Sequence, residues 1–225
     1  VHKPIYDITP FSALDYPDKT ACIIWFAGCN MRCQYCYNPK IVEGKGRKSY
    51  MDALSFLNQR KNLLDGVVLS GGECMLHKGL EDFADQVKAL DMLVKIDTNG
   101  SCPGKLQNMI RKKQVDYVAL DFKAPPKTFK EVTESNLFNK FDKSLDVLLN
   151  ADIPFEVRTT YHSDLHSMDD LQEMADFLNH KGYNGTYYIQ NFVTDTPTIG
   201  DLPPSISLKS KHPIRSAFPI ILRNR

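Results

Sequence analysis

Short apolar runs alternate along this chain with longer stretches whose apolar residues recur at helical spacing. Residues 21–26, 66–69, 93–97, 117–123, 155–160 and 187–190 have the length and apolar character of buried strands. Between them, residues 50–60, 80–90, 105–113, 136–149 and 168–180 read as helices. In the last of these, Leu171, Met174, Ala175 and Leu178 fall on one face. Ser167 and Asp170 stand at its start, approximating a capping box. Strands alternating with helices predict parallel βαβ units. Six such units are too few for an eight-unit barrel, so the expectation is an α/β fold of the open, partial (β/α)6 TIM type. A doubly wound sheet is the alternative. After Pro197 the pattern dissolves, because Pro203, Pro204, Pro213 and Pro219 break up regular structure. Residues 1–195 are expected to form the barrel. Residues 196–225 form an irregular Pro-rich extension packed on it, with 218–222 as a candidate last strand.

Composition narrows the function classes. A chain of 225 residues with 42% hydrophobic content can bury one sizeable core. Its 28 basic and 27 acidic residues leave a net charge of +1, which gives no electrostatic case for nucleic acid or an anionic membrane. No apolar run approaches the ~18 residues of a spanning helix. Neither nucleic acid nor membrane is an expected partner, and the expected compartment is a reducing cytoplasm.

The chemistry begins at Cys29, Cys33 and Cys36, spaced Cys-x3-Cys-x2-Cys in a loop just after the first apolar run. Three local thiolates suit a cubane iron–sulfur cluster with one iron left open, whereas a closed electron-transfer cluster takes four cysteines. An open iron can act on a small molecule, which points to an enzyme. Structural zinc is the competing reading, but it wants four ligands, commonly as two separated pairs, and no second pair follows. Six cysteines in a chain of this size, three of them scattered, do not read as a disulfide framework. Cys22 and Cys102 read as small buried hydrophobes. Cys74 sits in a site-like loop.

Polar residues gather at the ends of the predicted strands, where parallel α/β folds collect function. Alternation along 117–123 sends Val118, Leu120 and Phe122 to one face and Tyr117, Ala119, Asp121 and Lys123 to the other. Charges facing inward are costly unless paired or bound. A plain Asp–Lys ion pair is the simple alternative. Glu156, Arg158 and Thr160 share an inward face in the next strand, and Asp97 ends another, followed by Thr98-Asn99-Gly100. Asp97, Thr98 and Asp121 offer oxygen ligands to a hard cation. In Ser70-Gly71-Gly72-Glu73-Cys74, two glycines let backbone approach a ligand, and Glu73 could accept from a ligand ammonium.

Cys29-x3-Cys33-x2-Cys36 followed by Gly71-Gly72-Glu73 resembles the radical S-adenosylmethionine superfamily over residues 5–191. Within it, Thr9-Pro10-Phe11-Ser12-Ala13-Leu14-Asp15-Tyr16-Pro17, Tyr35-Cys36-Tyr37-Asn38-Pro39, Asp97-Thr98-Asn99-Gly100 and Asp121-x-Lys123 are similar to glycyl-radical-enzyme activases. The group most resembled is the activating proteins of anaerobic (class III) ribonucleoside-triphosphate reductases. The resemblance implies a [4Fe–4S] cluster on Cys29, Cys33 and Cys36, and S-adenosylmethionine chelated to the open iron. It also implies a 5′-deoxyadenosyl radical that takes hydrogen from a backbone glycine of the partner. It assigns Tyr35 and Tyr37 to the adenine, and Gly71, Gly72 and Glu73 to the methionine amino group. Asp97, Thr98 and Asp121 fall to a monovalent cation (Na+ or K+), and Lys123 and Arg158 to the cofactor itself. Reduced flavodoxin or ferredoxin would supply the electron. Two positions depart from the pattern: Tyr37 replaces a usual His and Cys74 a usual Pro. The 34 residues between Cys36 and Gly71 contain no cysteine, which predicts a single cluster.

Three other functions share parts of this signature. Pyruvate formate-lyase activases share much of the site, and 7-carboxy-7-deazaguanine synthases share the triplet and the Gly-Gly-Glu loop. A non-enzymatic iron–sulfur carrier or sensor needs only the cysteines, not charged groups at several strand ends.

Overall fold

The computed structural model describes residues 2–194, 196–209 and 214–224. Its frame is one eight-stranded sheet in sequential order. The strands are β1 (Ile5–Ser12), β2 (Ala21–Phe26), β3 (Gly66–Gly71), β4 (Leu93–Thr98), β5 (Tyr117–Asp121), β6 (Phe155–Tyr161), β7 (Tyr187–Asn191) and β8 (Ile220–Arg223). β1 runs antiparallel to β2, and each later strand runs parallel to the one before it. A doubly wound sheet would reverse its order at a switch point. Sequential order instead winds the chain in one direction, and the sheet stays open between its edges β1 and β8. This is the partial TIM-type barrel.

The helices are α1 (Pro39–Val42), α2 (Tyr50–Asn58), α3 (Leu80–Lys88), α4 (Pro103–Arg111), α5 (Phe129–Thr133), α6 (Phe138–Leu149) and α7 (Met168–His180). Capping boxes start two of them, Ser49 with Asp52 and Ser167 with Asp170. The outer face of the sheet, through Ile24, Leu69, Ile96, Leu120 and Val157, joins Leu57, Phe83, Leu106, Phe141 and Leu171 in one core. Inside the barrel, Tyr16, Ile23 and Val68, with Trp25, Leu93 and Tyr117 packed against them, fill the amino-terminal end. Apolar packing thus plugs one end, and the polar residues of the strands collect at the other.

The structure departs from the sequence pattern in three places. β1 is an additional strand: its apolar alternation is weak and it contains Pro10, which an edge strand tolerates. β5 ends at Asp121, so Phe122 and Lys123 lie just beyond it. Phe122 turns into the core, stacked 4.6 Å from Phe141. The last strand begins at Ile220, and Phe218 packs edge-on against Tyr183 and Tyr187. Pro213 and the expected boundary at Asp195 lie outside the described residues. No helix among the described residues is long and apolar enough to cross a membrane.

Candidate functional site

The cysteine loop leaves the carboxyl end of β2 at Gly28, whose φ of +84° suits glycine. Its backbone is tied to distant segments. The Gly28 N–H donates to the Ile41 carbonyl (2.8 Å), Arg32 N–H to Thr133 (2.8 Å) and Gln34 N–H to Val132 (3.0 Å). The Arg32 guanidinium donates to the carbonyls of Cys29 and Met31, both at 2.9 Å. Cys29, Cys33 and Cys36 are free thiols lining one cavity. Burial pushes the Cys33 thiol up to about 12, with the Lys123 ammonium pulling the other way. Burial raises Cys29 as well, against the same cation. Thiols this buried stay protonated unless a metal takes the proton's place.

These residues fit an iron–sulfur cluster better than a zinc ion. Zinc needs its ligands to converge on one point at about 2.3 Å, and a cubane gives each cysteine its own iron. The other cysteines stand apart. Cys74 is wholly buried, its sulfur 3.5 Å from the Leu69 carbonyl and 3.6 Å from that of Asp97. It is a core residue and does not line the cavity.

Gly71 and Gly72 form the cavity wall beside the cysteines. Both positions demand glycine. A Cβ on Gly71 would lie 2.3 Å from the Phe26 nitrogen, and one on Gly72 would lie 2.0 Å from the Gly28 oxygen. Glu73 is 1% exposed and does not itself line the cavity. Its carboxylate accepts from Met75 N–H (3.0 Å), the Thr98 hydroxyl (2.9 Å) and Asn99 N–H (2.7 Å). Burial raises its pKa to about 7 against those three donors. Glu73 fastens the end of β4 to the turn after β3.

Across the cavity, β4, β5 and β6 bring together Asp97, Thr98, Asp121, Lys123 and Arg158. Parallel register sets Asp121 beside Arg158. The Arg158 guanidinium donates twice to one Asp121 oxygen (2.9 and 3.0 Å), and Lys123 reaches the other at 3.0 Å. Arg158 also lies 3.5 Å from Asp97, which Lys95 meets at 2.5 Å. Burial alone would raise the Asp121 carboxyl, but Arg158 and Lys123 hold it down at about 2. Asp97 is likewise lowered by Arg158 and Lys95 despite its burial. The two carboxylates of the expected cation site are therefore already matched by Lys95, Lys123 and Arg158. On the outer side of Arg158, Glu156 lies 4.0 Å away and 3.3 Å from Arg223.

The aromatic residues complete the wall. Tyr35 is buried and its hydroxyl lies 3.5 Å from the Lys123 carbonyl. Tyr37 stacks on Phe192 at 5.2 Å, and its hydroxyl accepts from Val193 N–H (2.7 Å). Sequence reasoning missed two side chains. Asn99 Nδ2 donates to Asn30 Oδ1 (2.9 Å) and lies 3.8 Å from the Cys29 sulfur. Lys95 is 1% exposed and shares an inward face with Asp97 two residues on, a spacing that could have found it.

With the geometry in place, comparison with known proteins is informative. The family described as Radical SAM superfamily matches residues 23–179. A Methanocaldococcus jannaschii protein named "Putative glycyl-radical enzyme activating enzyme MJ1227" is 32% identical over 178 residues, covering 75% of this chain and 72% of that protein. The 7-carboxy-7-deazaguanine synthase of Clostridium acetobutylicum is 30% identical over 127 residues, 56% of each chain. The pyruvate formate-lyase-activating enzyme of Listeria monocytogenes is 35% identical over 129 residues, covering 51% of this chain and 52% of that one. The chain thus spans about half the length of the latter two. Among solved structures, Streptococcus suis SuiB bound to precursor peptide SuiA superposes with a TM-score of 0.66 at 16% identity. That match covers 80% of this chain and 42% of SuiB and is a likeness of fold.

Proposed function

Because the chain belongs to the radical SAM superfamily, we propose that this enzyme is an activase that installs a glycyl radical in a partner enzyme. The family implies a [4Fe–4S] cluster and S-adenosylmethionine. One observation carries the reading: three free cysteines and a set of strand-end cations open onto the same cavity. When bound, the cluster and cofactor supply reductive cleavage of S-adenosylmethionine to methionine and a 5′-deoxyadenosyl radical that takes hydrogen from a glycine Cα.

The chain's own residues hold and orient. Cys29, Cys33 and Cys36 hold the cluster. Lys123 and Arg158 bind the cofactor carboxylate, and Asp121 keeps both cations aimed into the cavity. Tyr35 and Tyr37 flank the adenine. Gly71, Gly72 and Glu73 hold the methionine amino group, the two glycines by letting backbone approach it. A Na+ or K+ at Asp97, Thr98 and Asp121 would share the two carboxylates with Lys95, Lys123 and Arg158. A dependence of cofactor affinity on Na+ or K+ would support that ion.

The Methanocaldococcus relative supports the activase class, and whole-chain resemblance favours an anaerobic ribonucleotide reductase as the partner. Pyruvate formate-lyase is the other candidate. Reduced flavodoxin or ferredoxin is the electron donor in this reading, and an oxygen-poor cytoplasm is its setting. Low-temperature electron paramagnetic resonance on anaerobically reconstituted, reduced protein tests it. The expected result is a [4Fe–4S]+ signal that shifts on adding S-adenosylmethionine, then a glycyl radical doublet on adding the reductase. A cluster signal indifferent to the cofactor would leave a carrier or sensor. The deazaguanine synthase match favours a second reading, and turnover of a pterin substrate without any glycyl radical would establish it instead.

A further inference from the structure

The segment after Pro197 has no task in the proposed activity, yet it runs directly against the cysteine loop. Residues 198–202 make a tight turn in which Leu202 N–H donates to the Thr198 hydroxyl (3.4 Å) and Asp201 adopts a φ of +48°. Within that turn, Ile199 N–H donates to the Cys36 carbonyl (3.2 Å) and Gly200 N–H to the Gln34 carbonyl (2.8 Å). The other edge of the loop is held by α5, through Arg32 N–H to Thr133 and Gln34 N–H to Val132. Gln34 is therefore gripped from both sides, its N–H by α5 and its carbonyl by the turn. Glycine at 200 is required by closeness: a Cβ there would sit 2.7 Å from Gln34 Cβ and 2.9 Å from its Cα and carbonyl oxygen.

Downstream, the same segment is fastened repeatedly. Asp164 N–H donates to His162 Nδ1 (3.1 Å), so His162 Nε2 carries the proton and donates to the Pro203 carbonyl (2.9 Å). Ser163 N–H donates to the Ser205 hydroxyl and Ile206 N–H to the Ser163 hydroxyl, each at 3.0 Å. The Asn191 amide brackets Leu208, accepting from its N–H (2.8 Å) and donating to its carbonyl (3.2 Å). Leu202 packs on the apolar cluster that contains Met31, Cys33 and Tyr35. A loose tail would not match its backbone donors to two carbonyls between and at metal-binding cysteines.

We propose that residues 198–208 form a strap that clamps the cysteine loop, with Ile199 and Gly200 as positioning residues for Cys36. The strap shields the thiols from solvent and slows the escape of bound iron. Its iron-retaining role rests on the reading that Cys29, Cys33 and Cys36 hold a cluster. Its clamping of the loop is testable without metal.

The test uses the full chain with Gly200→Val, whose side chain collides with the Gln34 backbone. Gly104→Ala is the control, since a Cβ there meets nothing within 4 Å. In metal-free protein, iodoacetamide alkylation of Cys36 is followed by mass spectrometry, with partly buried Cys102 as internal reference. Loss of two backbone hydrogen bonds should speed Cys36 modification about tenfold and leave Cys102 unchanged. In reconstituted protein, iron transfer to a ferrous chelator should accelerate by a similar factor, with circular dichroism like that of the control. If Gly200→Val does not fold, Leu202→Ser, which removes the apolar contact without a backbone clash, carries the same measurements. Unchanged Cys36 reactivity in the variant that folds overturns the strap. A wild-type protein that takes up no cluster overturns the functional reading instead, and the alkylation result still decides the strap.

Discussion

The strand ends of β4, β5 and β6 and the cysteine loop after β2 line one cavity, but they are held in place by different means. At the strand ends, sheet register fixes the backbone, and partly buried carboxylates and cations fix each other: Asp121 with Arg158 and Lys123, Asp97 with Lys95. The cysteine loop depends on backbone hydrogen bonds to α5 and to residues 199 and 200, which lie far along the chain. The first region is rigid once its strands pair. The second becomes ordered only when the chain has closed around it, and each of its bonds is individually weak. The half of the site that carries the three cysteines is therefore also the half that is energetically easier to loosen.

The largest effect should come from breaking the charge lattice. Arg158→Ala leaves the partly buried Asp97 and Asp121 with their main cation gone, and should lower stability in urea denaturation by roughly 3 kcal/mol. A loss under about 1 kcal/mol would mean the pairs behave as surface contacts and the contrast between the two regions is lost.

Acid should expose the same dependence at intermediate size. Asp121 has a folded-state pKa of about 2, below its ordinary value near 3.9. The stability it confers is complete above about pH 4 and disappears as the pH falls toward 2, an effect on the order of 2 kcal/mol. Denaturation midpoints measured down this range should fall less steeply in Asp121→Asn than in the parent chain. Equal slopes would place the acid sensitivity elsewhere.

The smallest stability effect is expected in the cysteine loop. Arg32→Ala removes two hydrogen bonds to the Cys29 and Met31 carbonyls and should cost about 1 kcal/mol or less in the same titration. Its signature should be local: faster alkylation of Cys29 in metal-free protein. A large global loss with unchanged Cys29 reactivity would show that the loop is part of the folding core and not a separately held element.

Much of this was legible in the chain. The strands β2 to β7 were visible as apolar runs because both faces of a parallel sheet are covered, and Ser167 with Asp170 marked the start of α7. The inward charges within the strands followed from alternation: Asp121 and Arg158 do line one cavity, and Lys123, just past the end of β5, lines it as well. β1 escaped because an edge strand needs neither clean alternation nor a proline-free run. The hydrogen-bond partners of Glu73 were not legible either. Its neighbours Gly71 and Gly72 line the cavity, and its carboxylate accepts from Met75, Thr98 and Asn99, two of them more than twenty residues away.

Periodicity and spacing by themselves determined the class of fold, the cysteine triplet and the faces on which the charges lie. Those are local properties, set by the two-residue repeat of a strand and by neighbours a few positions apart. Only the folded chain decided which charges neutralise one another, that Asn99 approaches the Cys29 sulfur, and that Ile199 and Gly200 donate to the Cys36 and Gln34 carbonyls. Such pairings join residues distant in sequence, and no repeat along the chain encodes them. They exist because burial leaves each polar group only the partners that the packed strands and loops place within reach.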